Sequence, residues 1–356
     1  MGRDAFPAPR PSALRPRFRR GPGVIPQGAH WLRVNRFFGD AMMAYAAVEP
    51  LRRAGLPLVV WGPARAVDLF EGSAGVAAVV AEPTRKYGIW AAARMLRQHR
   101  PASLLGFPKS ARPHAAALLA GVPLRLGCGD GGAHLLQTHS VAFYRRDDPF
   151  VTRYASTVAA AFPELGELGF TPFLPRPQAF EAQADQAAGA GFGGPFVVFA
   201  PGANSWSKRL SVPLFAALGH RLAGQGVGVV ILGAGAEDQR LAREITALLP
   251  AALNLVDACS LSLSAAWICR SRGLVGMDSG LGHIAAGAGR PTLAVFGPTR
   301  PRHSGPWGPR VKVVRKVGLA CLECMQGACA VEGHPCMNDL DEALLWRELS
   351  LLMEAP

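Results

Sequence analysis

Residues 273–299 read GLVGMDSGLGHIAAGAGRPTLAVFGPT, and this stretch decides the fold. Gly273 to Gly276 and Pro291 to Phe296 are apolar runs of strand length, and the Ala-rich run Leu281 to Ala288 between them is typical of a helix. A strand, a helix and a second strand in this order predict a parallel pair joined by a helical crossover. Because both strands are nearly all apolar, we expect a sheet that is covered on both faces.

The same alternation runs outward from this stretch in both directions. In the first half, residues 31–37 alternate apolar and polar and predict a strand, Phe38-Gly39-Asp40 predicts a turn, and Ala41 to Arg53 predicts a helix. The alternation restarts at Phe196, after a looser stretch rich in proline. We therefore predict an α/β protein built from two Rossmann-like, doubly wound domains. The predicted parts are a flexible basic tail at 1–29, an N-terminal domain at 30–180 and a C-terminal domain at 181–356.

Composition narrows the class of protein. The chain has 356 residues, of which 49% are hydrophobic, so it can form sizeable cores and is not a disordered chain as a whole. No apolar run approaches the ~18 residues that suggest a membrane span. The 38 basic and 25 acidic residues leave a net charge of +13. Such a charge favours an anionic partner, which could be nucleic acid, a phosphorylated lipid or a membrane surface.

Four turns of the second half follow predicted strands, where ligands bind in open α/β sheets. Glycines there admit close approach, helix N-termini and a lysine meet phosphate, and carboxylates accept hydrogen bonds from ribose hydroxyls. The turns therefore predict a site for a nucleotide diphosphate. No turn matches a Walker A loop, and no strict GxGxxG opens the first half, which disfavours a dehydrogenase. The polar residues that these turns supply are Lys208, Glu237, Asp238, Asp278, Ser279, His283 and Thr299.

These motifs make the chain similar to a known family. It resembles the ADP-heptose:lipopolysaccharide heptosyltransferases, glycosyltransferase family 9, over residues ~31–350. The motifs that carry the resemblance are Phe38-Gly39-Asp40, Pro201-Gly202-Ala203 with Lys208-Arg209, Asp278-Ser279-Gly280-Leu281-Gly282-His283, and Phe296-Gly297-Pro298-Thr299.

The resemblance implies a GT-B fold, in which two Rossmann-like domains face a central cleft. It implies an inverting transfer of heptose from ADP-heptose to the inner core of lipopolysaccharide, onto a lipid A–Kdo or heptosyl acceptor. Asp40 matches the family's catalytic base. The residues expected to bind the donor are Lys208, Glu237 (with Asp238 as the alternative), Asp278, Ser279, Gly280, Leu281, His283 and Thr299.

The sequence of the N-terminal half identifies the acceptor-binding residues less clearly. We expect an anionic, lipid-linked saccharide to bind the N-terminal domain near Lys109, Ser110, Arg112 and Arg125. We expect Lys208 and the helix N-termini to stabilise the leaving ADP, so that catalysis requires no cofactor. The odd count of seven cysteines, without a secretory signal, favours the reducing cytoplasm. Because the lipid acceptor is made at the inner leaflet, we expect a cytoplasmic enzyme that touches the inner face of the inner membrane. We also expect a monomer that binds no nucleic acid.

Four cysteines near the C-terminus have a spacing that suits a metal. Cys321, Cys324, Cys329 and Cys336 bring four thiols within 16 residues, which is the ligand number of a structural zinc site. The alternative is a loop of reduced thiols without metal. We assign the loop 321–336 no catalytic role.

Other interpretations of the same residues remain open at this stage. Asp40, Asp278 and Ser279 could be helix N-caps, and His283 could be a packed core histidine. Lys208 could be a solvated surface charge. At the level of function, the alternatives are a GT-B enzyme that uses another nucleotide sugar, and a non-catalytic protein that binds a nucleotide or RNA.

Overall fold

The computed structural model describes residues 25–82, 88–107, 110–141, 149–165, 174, 177–188 and 194–354. Of the predicted basic tail, residues 1–24 lie outside this part of the chain. Among the described residues, no helix is both long and apolar enough to cross a bilayer.

Within the described ranges, the first half forms one parallel sheet of six strands. These strands are β1 (His30–Arg33), β2 (Leu58–Pro63), β3 (Val76–Glu82), β4 (Ser103–Gly106), β5 (Leu124–Cys128) and β6 (His139–Val141). Their order in the sheet is β3-β2-β1-β4-β5-β6. The central β1 sets Trp31 between Val59 of β2 and Leu104 of β4.

Helices cover both faces of this sheet. The face that carries Trp31 and Trp61 packs against Ala92, Leu96 and Ala116. The opposite face packs against the helices nearest the second half. The helices are α1 (Phe38–Arg53), α2 (Ala64–Val67), α3 (Ile89–His99), α4 (Arg112–Leu119), α5 (Phe150–Ala161) and α6 (Pro177–Ala188).

The second half, described without a gap from residue 194 to 354, repeats the pattern. Its strands are β7 (Phe196–Ala200), β8 (Gly228–Ile231), β9 (Leu253–Asn254), β10 (Gly273–Met277), β11 (Thr292–Phe296) and β12 (Val311–Arg315). They form a parallel sheet in the order β12-β11-β10-β7-β8-β9. Its helices are α7 (Val212–Gly224), α8 (Ala236–Leu248), α9 (Leu261–Arg270), α10 (Gly280–Gly287), α11 (Pro301–Ser304), α12 (Pro335–Asn338) and α13 (Glu342–Glu354).

Both sheets have the doubly wound order of Rossmann domains, so the predicted fold class is confirmed. The strand order reverses between β1 and β4 in the first sheet and between β7 and β10 in the second. Ligands bind in the crevice outside the carboxyl ends of the strands at such a switch point. The topology therefore directs attention to the turns that follow β1, β7 and β10.

The start of the first domain differs from the predicted boundaries. β1 ends at Arg33 rather than at residue 37, and α1 begins at Phe38, so the predicted turn at 38–40 is the first turn of the helix. The side chain of Asn35 explains the early end of the strand. Its Oδ1 accepts a hydrogen bond from the amide of Phe37 at 2.7 Å, which closes a tight turn directly after β1.

One hydrophobic core runs through both halves. It joins Leu32 of the first sheet to Val198 of the second through side chains such as Ile268 and Ile284. The contacts between halves run from α1 to α10 and from α6 to α9. The predicted division at residue 180 falls within α6, and the position of the domain boundary stays a prediction.

A candidate active site between two helix N-termini

The first turns of α1 and α10 meet directly between the two sheets. A Cβ placed on Gly39 would lie 2.7 Å from Cδ2 of His283, and one on Gly280 would lie 2.8 Å from Cβ of Phe38. Glycine at both positions removes these clashes and lets the two helix ends approach. The motif that follows β1 and the motif that follows β10 therefore line one cleft.

Asp40 lies in the first turn of α1, partly exposed to this cleft. The N-cap of α1 is Phe37, so Asp40 is not the helix cap. Asn35 donates a hydrogen bond from Nδ2 to Oδ2 of Asp40 at 2.6 Å. This bond orients the carboxylate, and among the described residues its Oδ1 has no hydrogen-bond donor. Asn35 was missed by sequence reasoning, although an asparagine directly after a strand is a typical turn signal.

His283 is buried on α10 beside two carboxylates. Its Nε2 donates a hydrogen bond to the carbonyl oxygen of Ser304 at 3.0 Å, which fixes the ring. Burial lowers the pKa of His283, although the charges of Asp278 and Asp40 act to raise it. The imidazole is therefore neutral at physiological pH and does not form an ion pair with either carboxylate.

Lys208 and Asp278 form an ion pair across the switch point of the second sheet. Lys208 follows β7, Asp278 follows β10, and Lys208 Nζ lies 2.6 Å from Asp278 Oδ2. Ser304 Oγ also points to Asp278, at 3.4 Å from Oδ1. Lys208 is thus a partly buried cation at the sheet edge rather than a solvated surface charge. An anionic ligand there would compete with Asp278 for the ammonium group.

Two buried hydroxyls at neighbouring strand ends have no hydrogen-bond partner in the part of the chain that the structure describes. They are Ser279 Oγ after β10 and Thr299 Oγ1 after β11. Ser279 is the N-cap residue of α10, but its side chain makes no capping bond. Buried hydroxyls without partners are costly in a protein, so their positions indicate a ligand that supplies the missing bonds. The N-terminus of α10, which begins with Gly280 and Leu281, adds free amide groups suited to an anion.

The two acidic residues at the start of α8 have different surroundings. Glu237 is partly exposed and forms ion pairs with Arg209 and Arg240, both at 2.7 Å, and the hydrogen bond from Arg240 lowers its pKa most. Asp238 accepts the amide hydrogen of Ala234 and lies against Gly202, where a Cβ would be 2.2 Å from its oxygens. Asp238 therefore holds the turns together, and Glu237 is the carboxylate that remains at the surface.

Of the four residues expected to bind the acceptor, the three that the structure describes make no hydrogen bond or ion pair with Asp40. Lys109 lies outside the described residues. Ser110 accepts a hydrogen bond from the amide of Arg112 at 3.4 Å, at the start of α4. Arg125 donates to the carbonyl oxygens of Leu136 and Val122, so its guanidinium supports a loop. A role for these residues in acceptor binding stays a prediction.

The expected zinc site is not supported. Among the described residues, no group of three or more His, Cys, Asp or Glu is placed to hold a metal ion. Cys336 is buried while Cys324 is exposed, and burial, together with the neighbouring thiols of Cys329, Cys321 and Cys324, raises the pKa of the Cys336 thiol to about 11.

The cysteine loop 321–336 instead braces the turn that carries Lys208. Ser205 Oγ donates to the carbonyl oxygen of Gly327 at 2.8 Å, and Ser207 Oγ donates to that of Gln326 at 2.6 Å. His334 donates from Nε2 to the carbonyl oxygen of Ser207 and stacks on Trp206, with ring centroids 4.6 Å apart. The loop thus fixes the backbone next to Lys208.

Comparison with known proteins shows which family the chain resembles. The family model for glycosyltransferase family 9 (heptosyltransferase) matches residues 89–334. Lipooligosaccharide heptosyltransferase 2 of Haemophilus influenzae is 29% identical over 165 residues, which are 45% of this chain and 47% of the relative. The chain thus spans about half the length of this curated relative.

Two solved structures share the whole architecture. The ADP-heptose lipopolysaccharide heptosyltransferase II of E. coli superposes with a TM-score of 0.76 at 23% identity, over 91% of this chain and 98% of that one. A glycosyl transferase family 9 protein of Veillonella parvula superposes with a TM-score of 0.79 at 16% identity, over 93% and 98%. These likenesses show that the two sheets are arranged as in the GT-B heptosyltransferases.

Proposed function

Because the chain belongs to glycosyltransferase family 9, we propose that it transfers heptose from ADP-heptose to the inner core of lipopolysaccharide. The acceptor is a lipid A–Kdo or heptosyl saccharide. The observation that carries the proposal is the meeting of α1 and α10, which brings the turn of Asp40 against the turn that carries Asp278, Ser279 and His283. The Lys208–Asp278 pair and the hydroxyls of Ser279 and Thr299, which have no partner among the described residues, follow neighbouring strands. In this proposal one cleft holds a general base and a site for an anionic leaving group.

In this reaction Asp40 acts as the general base. It removes the proton of an acceptor hydroxyl, the hydroxyl oxygen attacks the anomeric carbon of the heptose, and the bond from that carbon to the ADP oxygen breaks with inversion. The oriented carboxylate and its available Oδ1 support this role. The neutral His283 supports it as well, because an imidazolium beside Asp40 would hold the carboxylate in an ion pair.

The second half stabilises the leaving ADP. Lys208 leaves Asp278 for the diphosphate, the amides at the start of α10 donate to its oxygens, and Ser279 and Thr299 complete the hydrogen bonds. Glu237 accepts from the ribose hydroxyls. We propose that these groups suffice without a metal ion, so that activity persists in EDTA.

We also propose that the enzyme works as a monomer at the inner face of the inner membrane, without nucleic acid. The stretch 88–128 supports this location, because it contains six basic residues and no acidic one. Trp90, Arg94 and Arg97 are spaced i, i+4, i+7 on α3 and are exposed, next to the exposed Leu118 and Leu119 of α4. We name these five residues the α3–α4 face. Basic and amphipathic side chains together suit a bilayer that contains anionic lipid.

A donor screen tests the proposed reaction. The purified chain is incubated with a lipid A–Kdo acceptor and either ADP-heptose, a UDP-sugar or a GDP-sugar, with and without EDTA. We expect transfer from ADP-heptose only, and an equal rate in EDTA. Transfer from a UDP- or GDP-sugar instead would show that ADP-heptose is not the donor. A loss of activity in EDTA that Mg²⁺ restores would show that a metal stabilises the leaving group.

A further inference from the structure

A cavity of about 310 Å³ is lined by residues of both halves. Its walls come from α1, from the start of α5, and from the segment 301–307 that follows the turn of Thr299. Phe150 of α5 stacks on His303 with ring centroids 4.3 Å apart, so the two halves are in contact at its edge. The lining residues are Met43, Pro149, Val151, Pro301, Arg302, His303, Gly305, Pro306 and Trp307.

The cavity adjoins the residues of the proposed reaction. Met43 stands one helical turn after Asp40 on α1, a spacing that places the two Cβ atoms ~5–6 Å apart. Gly305 directly follows Ser304, whose carbonyl oxygen holds His283 and whose hydroxyl points to Asp278. A molecule in this cavity would therefore lie within reach of the base.

The lining chemistry suits an anionic sugar. Met43, Val151 and the prolines offer apolar surface, and Trp307, 46% exposed, offers a flat aromatic face for the C–H side of a ring. Arg302 is exposed at the same cavity and has no hydrogen bond or ion pair among the described residues. An exposed guanidinium can bind a carboxylate or phosphate with two parallel hydrogen bonds.

We propose that this cavity is the subsite for the acceptor sugar, and that Arg302 recognises the anionic group of that sugar while Trp307 stacks on its ring. The inference rests on the proposed function, in which the nucleotide occupies the turns after β7, β10 and β11 and leaves this cavity to the other substrate. It assigns acceptor recognition to both halves, whereas the sequence suggested the N-terminal domain alone.

The test is steady-state kinetics with ADP-heptose and a lipid A–Kdo acceptor whose Kdo carboxylate is either free or amidated. The variants are Arg302→Ala, Arg302→Lys, Trp307→Ala and Trp307→Phe. Arg243→Ala, an exposed position on α8 outside the cavity, is the matched control. Calorimetry with ADP on each variant reports folding and donor binding independently of transfer.

We expect Arg302→Ala to raise the KM for the free-carboxylate acceptor at least ~10-fold, the effect of losing a charge-assisted hydrogen bond. Wild type and Arg302→Ala should have similar KM values for the amidated acceptor. Arg302→Lys keeps the charge but loses the paired donors, so it should recover only part of the affinity that Arg302→Ala loses. Trp307→Phe keeps an aromatic face and should recover most of the affinity that Trp307→Ala loses. The ADP affinity of all variants should equal that of Arg243→Ala.

Other results would overturn the inference in distinct ways. If both alanine variants keep the acceptor KM of the control while wild type transfers heptose, the cavity is not the acceptor subsite and the proposed function stands. If their ADP affinity falls, the cavity belongs to the donor. If wild type transfers no heptose, the proposed function fails and the inference fails with it.

Discussion

Asn35 was not among the predicted site residues, but in the structure it contacts the proposed base. Its amide joins the turn after β1 to the carboxylate of Asp40, because Nδ2 donates to Asp40 and Oδ1 accepts from the amide of Phe37. The Asn35 side chain thus fixes the Asp40 carboxylate relative to the central strand β1. It positions Asp40 and does not itself touch the reacting atoms.

Replacing Asn35 with alanine should lower kcat about 10-fold while the KM for ADP-heptose and the ADP affinity stay unchanged. The carboxylate would remain but sample unproductive orientations, and small misplacements of catalytic groups cost rate rather than ground-state binding. Asn254→Ala, at the far edge of the second sheet, is the control. A kcat equal to that of the control would show that Asp40 needs no support from Asn35.

The sequence predicted those cleft residues that directly follow an apolar strand. Lys208, Asp278 and Ser279 follow apolar strands, so their gathering at one sheet edge follows from parallel topology. Asn35 and Ser304 could not be predicted in the same way, because each acts through a bond that depends on the geometry of a turn. The cysteine spacing suggested a zinc site, but among the described residues no group of side chains is placed to hold a metal ion.

At the scale of elements, the buried strands and their crossover helices were predicted closely, and the surface elements were not. β10 and β11 match the predicted apolar runs to within one residue, since a short apolar run between polar turns has few alternatives. α1 starts three residues earlier than predicted, because the turn of Asn35 lets the helix begin at Phe38. β12 and α13 were missed, because the partly exposed strand Val311–Arg315 carries charges that break the apolar pattern.

The α3–α4 face should bind anionic membranes. Trp90 is 76% exposed, and Arg97 donates a hydrogen bond to the carbonyl oxygen of Leu119, so the two helices present one surface. Arg94→Ala should weaken binding to vesicles of phosphatidylglycerol about fivefold, because each basic residue contributes ~1 kcal/mol near an anionic bilayer. Trp90→Ala should weaken it further.

Sedimentation with vesicles measures this binding, with Arg243→Ala as the control of equal charge change. Binding should fall with added salt and be weak on phosphatidylcholine vesicles. Equal binding by Arg94→Ala and Arg243→Ala would show that this face does not contact the membrane.

At the scale of the whole molecule, the two halves share one core and bury histidines in it or beside it. Burial lowers the pKa of His30, His114 and His283. The unfolded chain therefore takes up protons near the ordinary value of 6.5, while the folded chain does not. Since the unfolded state then binds more protons, the free energy of unfolding should decrease as pH falls below about 6.5 and stay level between 7 and 8.

Urea unfolding at constant ionic strength between pH 5 and 8 measures this dependence. Each histidine that stays neutral in the folded state should add a slope of at most ~1.4 kcal/mol per pH unit. His114→Gln keeps a donor for the carbonyl oxygen of Gly106 and should make the free energy of unfolding depend less on pH. A free energy of unfolding that increases as the pH falls from 8 to 5 would show that these histidines are not buried in the neutral form.

The proposed reaction requires one cleft in which Asp40 of the first half acts as the base and the second half binds the ADP-heptose donor. The most direct measurement compares wild type and Asp40→Ala for heptose transfer from ADP-heptose and, by calorimetry, for ADP affinity. We predict that turnover falls about 100-fold or more, the usual contribution of a general base, and that ADP affinity is unchanged. Near-normal turnover in Asp40→Ala would contradict the account, because the proposed base would then not be needed for the reaction.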